Sequence, residues 1–315
     1  MISQLQALRQ AHHDRDDLAA LERFLLDDTA PLPSLDLLER TRLAAYAYTR
    51  TPRHHPDKLA LRPAFVAATR RHQQAKAALT PLFQAWYAAG IEVLLFKGFY
   101  LAEFVYDAPA QRFYGDVDAL IDPRHAAAAR RIAVSLGWTV VAELTDSTLP
   151  HIHELMSLRS PDGMVYLEVH RRILQNYLPV SRLQQRFTDR AWQASVTHPW
   201  QGITVRALEP RDNILLGLIL NRFWFADRWT FKPHDPLDMQ QTMTRHQLSS
   251  DDLRRRADEL GCRRTLDIFL SRCHPGRGVL HLAPPDKQQQ QRWNWQISGE
   301  RLACGAGAPS AGNAT

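Results

Sequence analysis

The apolar positions of the chain change period twice. Up to residue 90 they recur at helical spacing. Leu79, Leu82, Phe83 and Trp86 stand at i, i+3, i+4 and i+7, one face of a helix, and Gly90 follows as a C-terminal cap. Pro81 inside that stripe predicts a kink or a break. Earlier stretches rich in Ala, Leu and Arg, interrupted by Pro31-Leu32-Pro33 and by the segment from Pro52 to Pro56, predict further helices.

From Ile91 the pattern becomes that of strands. Ile91 to Phe96 is an apolar run that stops at Lys97-Gly98, and a short helical stretch follows from Phe99 to Tyr106. Asp116, Asp118 and Leu120 then alternate with Val117, Ala119 and Ile121, the pattern of a two-faced strand. Asp122-Pro123, an Ala-rich segment to Leu136 and Gly137 supply an acid at the cap, Pro in the first turn and Gly past the end of a helix. Trp138 to Leu144 and Met164 to Ile173 predict two more strands, the second carrying Tyr166, Glu168 and His170 on one face.

After a connecting region, Ile203 to Leu208 is extended and Asn213 to Phe225 is an apolar helix. Asp251 to Leu260 and Arg264 to Cys273 form a helical pair split by Gly261. The expected class is α+β: a mixed sheet core over residues 91–185, a helical region on either side at 1–90 and 186–283, and a tail at 284–315, partly disordered.

Composition narrows this little. Hydrophobic residues make up 45% and charged ones 23% of 315, which excludes wholesale disorder and collagen-like structure. Lys and Arg number 39 against 33 Asp and Glu, a net +6 that favours an anionic ligand and, with the arginines scattered, disfavours nucleic acid. No apolar run spans a bilayer, the N-terminus has no signal-like apolar region, and three cysteines make no disulfide framework, so the expected location is the cytoplasm with no membrane partner. Cys262, Cys273 and His274 lack a fourth ligand at zinc spacing.

The chemistry concentrates in the middle. Asp116 and Asp118, two apart on a strand, can close on one divalent cation or straddle two, and without a cation they repel. Glu168 offers a third acid on another two-faced strand. Lys97-Gly98, between a strand and a helix start, suits a phosphate, with backbone N–H groups, a close approach at Gly98 and the lysine's point charge.

The succession LLFKGFYLAEFVY, QRFYGDVDALID, an Ala-rich helix with SLGW, and VYLEVHRRI resembles the uncharacterised bacterial nucleotidyltransferases of the polymerase-β-like superfamily. That resemblance implies a small mixed-sheet nucleotidyltransferase core with helices packed on it. It implies transfer of a nucleoside monophosphate from a nucleoside triphosphate, ATP foremost, to a hydroxyl of a small-molecule, peptide or protein acceptor, releasing pyrophosphate. It also implies Mg²⁺ as cofactor, two ions, with Mn²⁺ as a substitute. Asp116, Asp118 and Glu168 would hold the metals, and Lys97, Gly98, Arg112 and Gly115 the nucleotide. Glu168 would take the acceptor proton, and His170 would orient that acid, touch the acceptor or make a plain structural hydrogen bond.

The Gly-Ser pair of the wider superfamily is here Lys97-Gly98, so the phosphate grip shifts to a lysine and backbone amides. Asp238 matches an acid of the family's C-terminal part, a helix cap or part of the acceptor site. The aromatic run Arg222 to Trp229 reads as helical core or as a wall that stacks on a base. His151 and His153, between two strands, read as solvated loop residues or as residues that reach the site from a loop. The arginine pairs, Arg70-Arg71 among them, read as solvated helix faces, with Arg171 and Arg172 placed to attract an acidic acceptor. The competing reading is a catalytically silent scaffold with the same fold.

Overall fold

The computed structural model describes residues 15–143, 153–174, 181–224, 231–274, 277–283 and 285–296. His151, residues 225–229 of the aromatic run and the last residues of the expected tail lie outside them.

Strands β1 (Leu94–Phe96), β2 (Val117–Leu120), β3 (Thr139–Glu143), β4 (Glu154–Arg159), β5 (Tyr166–His170), β6 (Val196–Trp200) and β7 (Ile203–Ala207) form one sheet in the order β3-β4-β5-β2-β1-β7-β6. The sheet is mixed: β1 runs antiparallel to β2 and parallel to β7, and β2 runs parallel to β5. An α+β core of this kind is what the alternating patterns predicted. Two strands escaped that reading. In β4 the register shifts between Glu154 and Met156, and Met156, Ser157 and Leu158 are all buried, so no polar–apolar alternation survives. β6 contains Pro199, tolerated because β6 is an edge strand.

Before the sheet come α1 (Arg15–Leu26), α2 (Leu35–Arg40), α3 (Ala44–Arg50) and the 31-residue α4 (Lys58–Ala88). Helix α4 runs through Pro81 unbroken. Pro81 and Ala77, whose carbonyl loses its partner, are both on the exposed side, where water takes the place of the missing N–H. The opposite side of α4 buries Leu79, Leu82, Phe83 and Trp86 completely, each burial contributing roughly 1.5–3 kcal/mol. Trp86 Nε1 donates to the Ala129 carbonyl at 3.0 Å, fastening α4 to α6 (Ala126–Ser135).

β1 passes without a loop into the one-turn α5 (Lys97–Tyr100) and then a π-helical turn, Leu101–Val105. That turn carries Glu103 inward. Glu103 accepts hydrogen bonds from Lys76 Nζ at 2.7 Å and Trp200 Nε1 at 2.9 Å and meets His72 Nε2 at 2.6 Å. Burial opposes its ionisation, but His72 and Lys76 outweigh burial and hold its pKa down at about 2.

C-terminal to the core are α7 (Ser181–Gln193), α8 (Pro210–Trp224), α9 (Asp235–Arg245), α10 (Ser250–Leu260) and α11 (Arg263–Arg272). Gly261, at φ 74°, ends α10 in the left-handed conformation, as its place between two helical patterns predicts. Asp212 near the start of α8 is buried and bridged twice by Arg256 of α10, at 2.5 and 2.6 Å. Part of the stretch read as tail is ordered into α12 (Lys287–Gln296), which buries Trp293. Among the described residues no helix is long and apolar enough to cross a membrane.

Candidate active site

Three neighbouring strands build the site. In their registers Phe96 of β1 lies opposite Asp118 of β2, and Asp118 lies opposite Glu168 of β5, so two acids 50 positions apart become next-door residues on one face. Lys97 closes the arrangement. It is the residue at which β1 becomes α5, its φ is +58°, and its Nζ lies 2.5 Å from Asp118 Oδ1 while its N–H donates to Asn213 Oδ1. A non-glycine residue in the left-handed region costs on the order of 1 kcal/mol.

His170, two positions beyond Glu168, is fully buried, with Nε2 3.1 Å from Asp118 Oδ1 and 3.7 Å from Glu168 Oε2. Asp118, Glu168 and His170 each bring one ligand atom, all within 4.8 Å of one another, a donor set that could hold a metal ion. Asp116, half-buried just before β2, stands outside that triplet but close enough to feel its charge.

The electrostatics are those of acids gathered without enough cations. Burial, reinforced by the charges of Asp118, Asp116 and Glu154, pushes Glu168 up to about 8. Burial and Asp118 push Asp116 up to about 6. Burial opposes ionisation of Asp118 too, yet Lys97 and His170 hold it well below the usual carboxylate range. One acid is thus fixed as an anion and its neighbours are left needing a proton or a cation.

Two further residues stand beside this site, and the first of them was not legible in the sequence. Glu154 sits opposite His170 in the β4–β5 register and adds its charge to Glu168. His153, read as a solvated loop residue or one that reaches the site, is 3% exposed and lies against His170 with ring centroids 4.7 Å apart and planes tilted by 41°. Burial and the charges of His170 and Lys97 drop its pKa to about 2, so it is neutral. Only strand register places Glu154, and no local pattern carries it.

Arg112 is held in an ion pair. Its Nε lies 2.6 Å from Asp238 Oδ1 in α9, its Nη1 donates to the Phe113 carbonyl, and Tyr106 donates to the same Asp238 oxygen at 2.7 Å. Asp238 is therefore a tie between α9 and the loop before β2 rather than a helix cap.

The two glycines differ. Gly98 is buried, and a Cβ on it would stand 2.5 Å from Tyr114 Cβ, so packing alone demands glycine there. Gly115 faces open space, with no atom within 4 Å of where its Cβ would be. It borders a cleft of about 440 Å³ whose floor includes Tyr114, Gly115 and Asp116.

A family profile described as an uncharacterised nucleotidyltransferase matches residues 31–275. The chain belongs to that family. Nucleotidyl transfer is accordingly the activity this site has to account for. No curated protein matches the chain. Among solved structures it is similar to the antibiotic-resistance factor ANT(2'')-Ia, at 12% identity and TM-score 0.41, over 60% of this chain and 89% of that one. It is also similar to an antigenic nucleotidyltransferase-like protein from Paracoccidioides brasiliensis, at 17% identity and TM-score 0.39, over 66% and 94% respectively. In this nucleotidyltransferase the structure brings together Lys97, Asp116, Asp118, Glu168 and His170, sets Gly98 beneath Tyr114, leaves Gly115 open to the cleft, and pairs Arg112 with Asp238.

Proposed function

We propose that this nucleotidyltransferase transfers a nucleoside monophosphate from a nucleoside triphosphate, ATP foremost, to the hydroxyl of a small-molecule, peptide or protein acceptor in the cytoplasm. The observation that carries this reading is the Asp118–Glu168 register, with Asp116 one step before the strand and Lys97 and His170 on Asp118.

A divalent metal fits the residues present. Clustered carboxylate oxygens suit Mg²⁺ or Mn²⁺, and the raised proton affinities of Glu168 and Asp116 mark negative charge a cation would balance. Asp116, Asp118 and Glu168 would hold one or two such ions, which supply Lewis-acid stabilisation of the transferring phosphoryl group.

The chain's own residues do the rest. The acceptor oxygen bonds to the α-phosphorus, the bond from that phosphorus to the bridging oxygen breaks, and pyrophosphate leaves with the electron pair. Glu168, ionised once a cation balances the charge of its neighbours, takes the hydroxyl proton. Lys97 offsets negative charge beside Asp118, and His170 fixes the Asp118 carboxylate by its Nε2 contact. Arg112 acts only through Asp238, as a structural tie.

The test is mass spectrometry of candidate acceptors after incubation with each labelled nucleoside triphosphate and Mg²⁺. A monophosphate adduct with matching pyrophosphate release is expected, and Asp118→Asn should abolish both, by at least a thousandfold. Undiminished transfer in that variant would end the assignment. A protein that binds no nucleotide at all would be a scaffold instead.

A further inference from the structure

The cleft beside Asp116 has a wall that the transfer chemistry does not use. Helix α4 presents to it Ala67, Arg70, Arg71, Gln74 and Ala75, spaced i, i+3, i+4, i+7 and i+8, a single helical face with small residues at its ends and two guanidiniums at its centre. Opposite stand Met164 and Tyr166 from the turn into β5, and Met164 is 63% exposed. The floor is open at Gly115.

The two guanidiniums carry unspent charge. Among the described residues neither Arg70 nor Arg71 has an acidic partner within ion-pair distance, although most arginines of α10 and α11 do. Arg71 is oriented: its Nη1 donates to the Tyr114 carbonyl at 3.1 Å, and its guanidinium lies 5.1 Å from the Phe113 ring centroid. Arg42 packs on the same ring at 5.2 Å. Guanidiniums offer a phosphate or carboxylate paired N–H donors in a planar fork.

We propose that this cleft is the acceptor subsite and that it selects an acceptor bearing a phosphate or carboxylate close to its reacting hydroxyl. The anion lies on Arg70 and Arg71, the body of the acceptor passes over Gly115, and the hydroxyl reaches the Asp116 side of the acid cluster. The nucleotide approaches from the side of Lys97. This inference rests on the transferase reading for the word acceptor, while the anion site itself stands on the cleft.

The experiment titrates the full-length protein, with and without MgATP, with glycerol 3-phosphate and glycerate as anionic hydroxyl probes and with glycerol as the neutral control. Binding of at least one anionic probe and not of glycerol is expected. Arg70→Glu, at an exposed position, and the Arg70→Ala/Arg71→Ala double variant should weaken the probe at least tenfold while MgATP affinity changes less than threefold. Gly115→Val should block the probe by bulk alone. Equal loss of MgATP and probe would assign the arginines to the triphosphate and overturn the proposal, as would unchanged probe affinity or failure of both anions to bind the wild type. Failure of the transferase reading gives a different result: no pyrophosphate release from any nucleoside triphosphate, with arginine-dependent probe binding intact.

Discussion

Replacing Gly98 by alanine is a sharp test of how the site is held. Gly98 lies within α5, where alanine is normally the better residue by up to about 1 kcal/mol, so propensity alone predicts a gain. The structure predicts the reverse. A Cβ at 98 would stand 2.5 Å from Tyr114 Cβ and 3.6 Å from its Cα, and ordinary carbon contacts need about 3.5–4.0 Å, so the two backbones must part by about 1 Å. Tyr114 cannot simply swing away: its hydroxyl is 3.0 Å from His72 Nδ1, its ring packs edge-on to Phe99, and its carbonyl accepts from Arg71. Forcing such a move costs about 1–3 kcal/mol, a fall in melting temperature of roughly 1.5 °C per kcal/mol for a chain of 315 residues. Asp116 is two residues from Tyr114, and a shift of about 1 Å there should slow transfer by about 100-fold. Thermal denaturation and initial-rate assays read both effects. A variant that melts at or above the wild-type temperature, with full activity, would refute the packing argument.

The remaining predictions concern charge. Glu103 has a folded pKa of about 2 against an ordinary 4.5, so its contribution, about 3 kcal/mol at most, is complete above pH 5 and disappears as pH falls towards 2. Denaturant titration across that range should show the loss, and Glu103→Gln should flatten it. Glu168 and Asp116, at about 8 and 6 without metal, must shed protons to bind one, so Mn²⁺ affinity by calorimetry should rise between pH 6 and 8 and protons should be released. A pH-independent affinity would contradict the charge cluster. Arg112→Met should destabilise by about 2–4 kcal/mol by stranding Asp238, with KM for the nucleoside triphosphate within threefold of wild type. A tenfold rise in KM would return Arg112 to the nucleotide.

What could be read beforehand was whatever repeats along the chain. Alternation exposed β2 and β5 with their acids on one face, and capping residues located α10 and Gly261, because both signals are local. β4 carries a bulge and a buried serine, so its period is scrambled, and with it went Glu154. Arg112 shows another boundary. A spacing of four residues before Asp116 places it near the acids in sequence, but its partner Asp238 comes from a helix 126 positions later, and no motif spacing gives a side chain's direction. Lys97 was legible as a cation at a strand-to-helix turn, and its contact with Asp118 depended on the β1–β2 register.

Position 97 is also where two demands on one residue collide. The backbone at φ +58° favours glycine or asparagine, whereas the carboxylates around Asp118 favour a cation. With the acid cluster empty, the ammonium offsets repulsion and lysine is the stabler choice. A divalent ion in the cluster would supply that charge itself, leaving lysine with its backbone strain and little electrostatic reward. Selection for heat resistance alone would then pull residue 97 in opposite directions in metal-poor and metal-rich surroundings, and a lysine retained in the latter would be retained for turnover and not for endurance.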